Sequence, residues 1–92
     1  MDKMQKLELM DKIQRELEDL QNSQTSILKK ISQIAADNIT LGAALLDEKL
    51  PELQDEVDTS LNGIKELSEA FAAHRDKFFA DNNLAAQVDP TA

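Results

Sequence analysis

The sequence predicts an all-α fold: a long antiparallel helical hairpin of coiled-coil type, with apolar faces left over for association into a bundle. Three observations carry this expectation. Positions three and four residues apart read Met10, Ile13, Leu17, Leu20, Gln24, Ile27, Ile31, Ile34, Asn38, Leu41 and Leu45. A second series, Leu50, Leu53, Val57, Ser60, Ile64, Leu67, Phe71, His74 and Phe78, repeats the spacing. A 3.5-residue apolar period of this length is the mark of helices lying along helices. Between the two series stands Asp47-Glu48-Lys49-Leu50-Pro51, and proline is tolerated in the first turn of a helix but obstructs its interior. Finally, 41% apolar and 30% charged residues with only two Gly and two Pro suit long helices better than sheets or disorder.

Taken in order, the spacing predicts a first helix over 2–46, a turn over 47–50, a second helix over 51–80 and a tail over 82–92, with 1–81 forming one domain. At the N-terminal end the seam slips phase, because strict heptads would place Lys3 and Lys6 inward while Met4, Leu7 and Leu9 carry the apolar surface. Gln21-Asn22-Ser23-Gln24-Thr25-Ser26 is polar throughout and could cap a new helix, which would give a three-helix domain. The seam keeps its phase across this segment, favouring one continuous helix. Gly42 is a weak point that permits a kink or a close backbone approach, at a cost of roughly 1 kcal/mol against Ala. Beyond Asp81-Asn82-Asn83 the pattern dissolves, which predicts an extended or frayed end.

A fold-back near Lys49 lays the two seams together with polar positions matched, Asn38 opposite Ser60 and Gln24 opposite His74. Matching matters because an unpaired buried polar group costs about 1–3 kcal/mol. The rival arrangement is a parallel bundle of first helices, which Ile27, Ile31 and Ile34 on the seam would favour. In the hairpin register Asp81 falls near Leu17, so residues 2–16 overhang by roughly 20 Å at 1.5 Å per residue. Met4, Leu7, Leu9, Met10 and Ile13 on that overhang, with Phe79 at its base, form the expected self-association surface, supplemented by the region from Ile34 to Leu46.

Charge is divided unequally. The chain has 18 acidic and 10 basic side chains, net −8; residues 1–46 hold six basic and seven acidic, residues 47–92 four basic and eleven acidic. Such acidity disfavours nucleic acid and anionic membranes as partners. Glu48, Glu52, Asp55 and Glu56 share one helix face, a surface for a basic partner or simply a solvated one.

Nothing in the chain has the spacing of a catalytic or cofactor motif. There is no cysteine, no glycine-rich phosphate loop and no calcium loop. The single histidine, His74, suits a polar core layer with Gln24 better than catalysis, which needs an aligned nucleophile or acid. The expectation is a non-enzymatic protein without cofactor or metal. Its partners would be copies of itself or another protein. No secretory h-region or membrane-spanning run is present, so a cytoplasmic location, or assembly within a larger particle, is expected.

Small helical hairpins that polymerise or pair include the needle subunits of type III secretion and the secreted Trp-Xaa-Gly proteins. The chain has no Trp, and Asp47 to Pro51 lacks the Pro-Ser-x-x-Pro turn of the needle subunits, so neither family is assigned. Size and acidity are shared with bacteriophage virion components and host-defence inhibitors. Two function classes follow: a structural protein that assembles through apolar helix faces, of phage or secretion type, and, alternatively, a small acidic inhibitor, chaperone or adaptor for a basic site on a larger protein.

Overall fold

The computed structural model describes residues 1–85 and shows two helices, α1 (Lys3–Leu41) and α2 (Ala44–Asp81), packed antiparallel. Asp2 starts α1 through a capping box: its side chain accepts from the Gln5 amide at 2.8 Å, and the Gln5 side chain accepts from the Asp2 amide at 2.9 Å. Two orphan amides of the first turn are thereby satisfied. The polar run 21–26 stays helical. Within it the Thr25 hydroxyl donates to the Gln21 carbonyl at 3.0 Å and the Ser26 hydroxyl to the Asn22 carbonyl at 3.1 Å, so both spend their hydrogen bonds inside the helix rather than capping a new one.

The turn lies at Gly42–Ala43 and not at 47–50. Gly42 has φ +69°, and its amide donates to the Asn38 carbonyl at 2.7 Å, the left-handed helix ending for which glycine is suited. Ala43, the N-cap of α2, offers no side-chain cap. Asn38 substitutes: its Oδ1 accepts from the Ala43 amide at 2.9 Å, while Nδ2 donates to the Ala43 carbonyl at 3.2 Å and to Asp47 Oδ1 at 2.8 Å. One buried side chain thus ties the end of α1 to the start of α2. Pro51 remains inside α2, on its exposed side. The Asp47 carbonyl that loses its helical donor there belongs to an exposed residue, so water can serve it.

Moving the turn toward the N-terminus changes the register by about twice as much, and three expectations fall with it. Asn38 caps the turn instead of facing Ser60, which is exposed; Gln24 is half-buried, but His74 is exposed and stacks on Phe71 with ring centroids 6.0 Å apart. The overhang is absent. Gln14 Nε2 donates to Ser68 Oγ at 2.8 Å, and Arg75 Nε to Asp11 Oδ1 at 2.8 Å, so α2 reaches back along the whole of α1. The long axis measures 64 Å, close to the ~58 Å of a 39-residue helix, with no room for protruding arms.

At the far end, the chain after α2 is not extended over its described part. Asn83 takes φ +53°, its amide donates to the Ala80 carbonyl, and the Leu84 amide donates to the Phe79 carbonyl, each at 3.1 Å. This is a Schellman ending with asparagine in the left-handed position, and it plugs Leu84 completely out of solvent. The expectation for 86–92 lies outside the described residues.

Candidate interaction surface

Each helix of the hairpin carries an apolar arc three rows wide, and the pairing of α1 with α2 uses two of them. In α1 the inward row is Met10, Leu17, Gln24, Ile31 and Asn38; in α2 it is Leu50, Val57, Ile64, Phe71 and Phe78. All ten are buried or half-buried. On one flank, four residues further on, lie Gln14, Gln21 and Leu28 of α1 with Leu61, Ser68, Arg75 and Asn82 of α2, again buried or half-buried. On the other flank, three residues further on, α1 carries Leu20, Ile27, Ile34 and Leu41, and α2 carries Leu53 and Leu67 alternating with Ser60, His74 and Asp81. The six apolar residues remain exposed, from 39% at Ile34 to 72% at Leu41.

The contrast is chemical as well as geometric, for the flank inside the hairpin is the more polar one. It holds the Gln14–Ser68 and Arg75–Asp11 contacts, and Gln14 Oε1 is buried with no hydrogen-bond partner, a loss worth about 1–3 kcal/mol. Hydrogen bonding to Asp11, with its negative charge, raises the Arg75 pKa above its ordinary value despite some desolvation. On the arginine side, the stability this adds is present below the ordinary arginine range and is lost as pH rises through the raised value, far into alkali.

Both exposed rows lie on the same face of the hairpin. Each follows its inward row by three residues, and an identical offset on two antiparallel neighbours points both rows to the same side. Ile39 and Leu45, beside the turn, are exposed but lie off this face, because residues one or two apart on a helix do not point the same way. Four apolar residues among those described are buried, namely Leu7, Ile31, Leu61 and Leu84, the last of them completely. Two helices alone cannot enclose more.

The expected self-association residues are distributed differently from the sequence reading. Leu7 is buried within the hairpin, Met4, Met10, Ile13 and Phe79 are half-buried, and Leu9 is exposed. Phe79 carries Arg75 over its ring at 5.1 Å, a cation–π contact made within α2. Glu48, Glu52, Asp55 and Glu56 are exposed on the outward side of α2, with Lys49 Nζ 3.9 Å from Glu48 and 3.8 Å from Glu52. Ile34 and Leu41 fall in the expected Ile34 to Leu46 region, whereas Leu20, Ile27, Leu53 and Leu67 were expected in the seam, because sequence periodicity marks an apolar flank without saying which contact uses it. Its signal was the width of the arc: Ile27 and Leu28 both flank the inward row, which is more than one two-helix seam consumes.

A cleft of about 150 Å³ opens near the turn between Ile31 and Asn38 of α1 and Leu46, Leu50 and Gln54 of α2. It is smaller than the ~300–1,000 Å³ usual for ligand sites. Among the described residues, no group of three or more His, Cys, Asp or Glu converges to hold a metal ion, and no helix is long and apolar enough to cross a membrane. Comparison with protein-family models, curated proteins and solved structures finds no match to this chain.

Proposed function

We propose that this chain is a non-enzymatic coiled-coil assembly protein that acts by packing the apolar face of its hairpin against further copies of itself. The observation that carries the reading is the placement of the two flanks: the flank inside the hairpin holds Gln14, Gln21, Ser68 and Arg75, while the outer flank leaves six large apolar side chains exposed. Six large side chains per hairpin, each roughly half exposed, are worth about 1 kcal/mol apiece when covered, and the half-buried inward rows add a similar amount. Two chains together gain on the order of 20 kcal/mol gross, against about 4–15 kcal/mol for lost freedom on association. The surplus, about 5–16 kcal/mol, corresponds to sub-millimolar or tighter self-association.

Sedimentation equilibrium from 1 to 100 µM tests this. The parent should have the mass of two or more chains, and Ile27→Asp with Ile34→Asp should yield a helical monomer, since both side chains lie outside the hairpin seam. A parent that sediments as one chain across the whole range would refute the proposal.

The outward carboxylates of α2 favour a second reading, an acidic adaptor that docks on a basic site of a larger protein. Screening separates the two. Electrostatic docking weakens between 50 and 500 mM salt, whereas apolar assembly holds or tightens.

A further inference from the structure

We infer that the second copy docks with its turn at the same end as the first, so that α1 of each lies antiparallel along α2 of the other and four helices enclose one core. This deepens the self-association proposed above and rests on it. A two-fold axis parallel to the helices makes every neighbouring pair antiparallel and places the exposed row of α1 against the exposed row of the second copy's α2.

Heights along the bundle are set by the contacts of the hairpin itself, Asn38 with Asp47, Gln14 with Ser68 and Asp11 with Arg75. At those heights the exposed Ile34, Ile27 and Leu20 share layers with the inward Leu50, Val57 and Ile64 of the second copy, and its exposed Leu53 and Leu67 share layers with Ile31 and Leu17. Gln24, the polar residue midway along the inward row of α1, shares a layer with Ser60 of the exposed α2 row, while His74 of that row falls at the height of Met10. The edges of the same contact agree. Counting three residues beyond the exposed rows, Asp37 falls opposite Lys49, Lys30 opposite Glu56, and Ser23 opposite Gly63. Opposite charges face each other twice, and small residues meet where the helices approach at mid-length. Gly63 has nothing within 4 Å of an added Cβ in the hairpin, so the space beside it is open to a neighbour.

The reverse orientation, with turns at opposite ends, does worse on both counts. It pairs α1 with α1 and α2 with α2; Lys30 still meets Glu16, but Lys49 falls against Lys77, Gln24 against Leu20, and Ser60 against Ile64. Like charges and unmatched polar groups both oppose it.

The chain has no cysteine, so single introduced thiols report without background. Asp37→Cys and Lys49→Cys variants, mixed, unfolded and refolded together, should form a disulfide-linked heterodimer on oxidation, while each alone stays unlinked. Ser23→Cys alone should stay unlinked too, because in the turn-aligned bundle the two α1 helices are diagonal. A Ser23→Cys homodimer without the mixed product would overturn the orientation while leaving self-association standing; a monomeric parent would instead remove the reading it rests on. Charge exchange gives an independent measurement. Lys30→Glu should weaken the dimer by roughly three- to tenfold, the scale of two exposed ion pairs, and adding Glu56→Lys should restore it. Dimerisation indifferent to Lys30→Glu, or not restored by the double exchange, counts against the register.

Discussion

Replacing Gly42 by alanine and Pro51 by alanine gives two stability changes whose signs depend on where the chain turns. In the structure Gly42 sits at φ +69°, and a Cβ built there meets nothing within 4 Å. The cost is therefore a backbone one, about 1–2 kcal/mol for a left-handed L-residue, reduced by roughly 0.5 kcal/mol because alanine restricts the unfolded chain. Gly42→Ala should destabilise by about 1 kcal/mol. Pro51 lies within α2, where proline is about 3 kcal/mol worse than alanine; allowing for its stiffening of the unfolded chain, Pro51→Ala should stabilise by about 2 kcal/mol. A turn at 47–50 reverses the pattern: Gly42 would be a helix-interior glycine that gains roughly 1 kcal/mol on becoming alanine, and Pro51 a first-turn proline with nothing to gain. Urea unfolding followed by helical circular dichroism measures both. At a slope near 1 kcal/mol per molar, the midpoint should fall by about 1 M for Gly42→Ala and rise by about 2 M for Pro51→Ala. Protein concentration must be held constant, since association adds to apparent stability. A stabilising Gly42→Ala together with a neutral Pro51→Ala would refute the observed turn and the register built on it.

Three further outcomes follow from individual side chains. Asn38→Ala removes three hydrogen bonds at the turn and leaves the Ala43 amide without its partner, so it should cost about 2–3 kcal/mol in the same urea assay. Leu84→Ala empties a fully buried site at the open end and should cost about 2–4 kcal/mol, seen as a lower thermal midpoint. Gln14→Leu with Ser68→Ala replaces a half-satisfied polar contact by apolar groups and should be neutral or stabilising in calorimetry, whereas Gln14→Leu alone strands no charge and should cost little.

Much of the architecture is legible in the residues, and what is not has identifiable causes. The helical hairpin follows from the two heptad series, and the continuity of α1 through 21–26 follows from unbroken phase. The inward rows are also recovered, from Met10, Leu17 and Ile31 to Leu50, Val57, Ile64 and Phe71. Which flank joins them is ambiguous locally, because neighbours three and four residues away are equally placed on a helix. Apolarity favours the flank of Ile27 and Ile34; the tight turn at Gly42, held by Asn38, rolls the helices so that Leu28 and Leu61 face inward instead. Proline is the stronger breaker by propensity, yet one Asn–Gly arrangement with three side-chain bonds outweighs it, a tertiary effect invisible to residue preferences. The ending at Asn83 was obscured by the polar Asp-Asn-Asn run, after which only the hydrophobic Leu84, two residues past the cap Asn82, betrays the motif.

The turn's position between arms of nearly equal length also dictates an order of events in folding. Asn38 and Asp47 are nine residues apart in the chain, whereas Asp11 and Arg75 are 64 apart. Closing the longer loop from an open coil costs about 1.7 kcal/mol more in chain entropy. Pairing started beside Gly42 need never meet that penalty, because each newly zipped layer brings the next within reach. Amide exchange should then be slowest near the bend and quicken toward the free pole, where Leu84 acts as a late-closing latch.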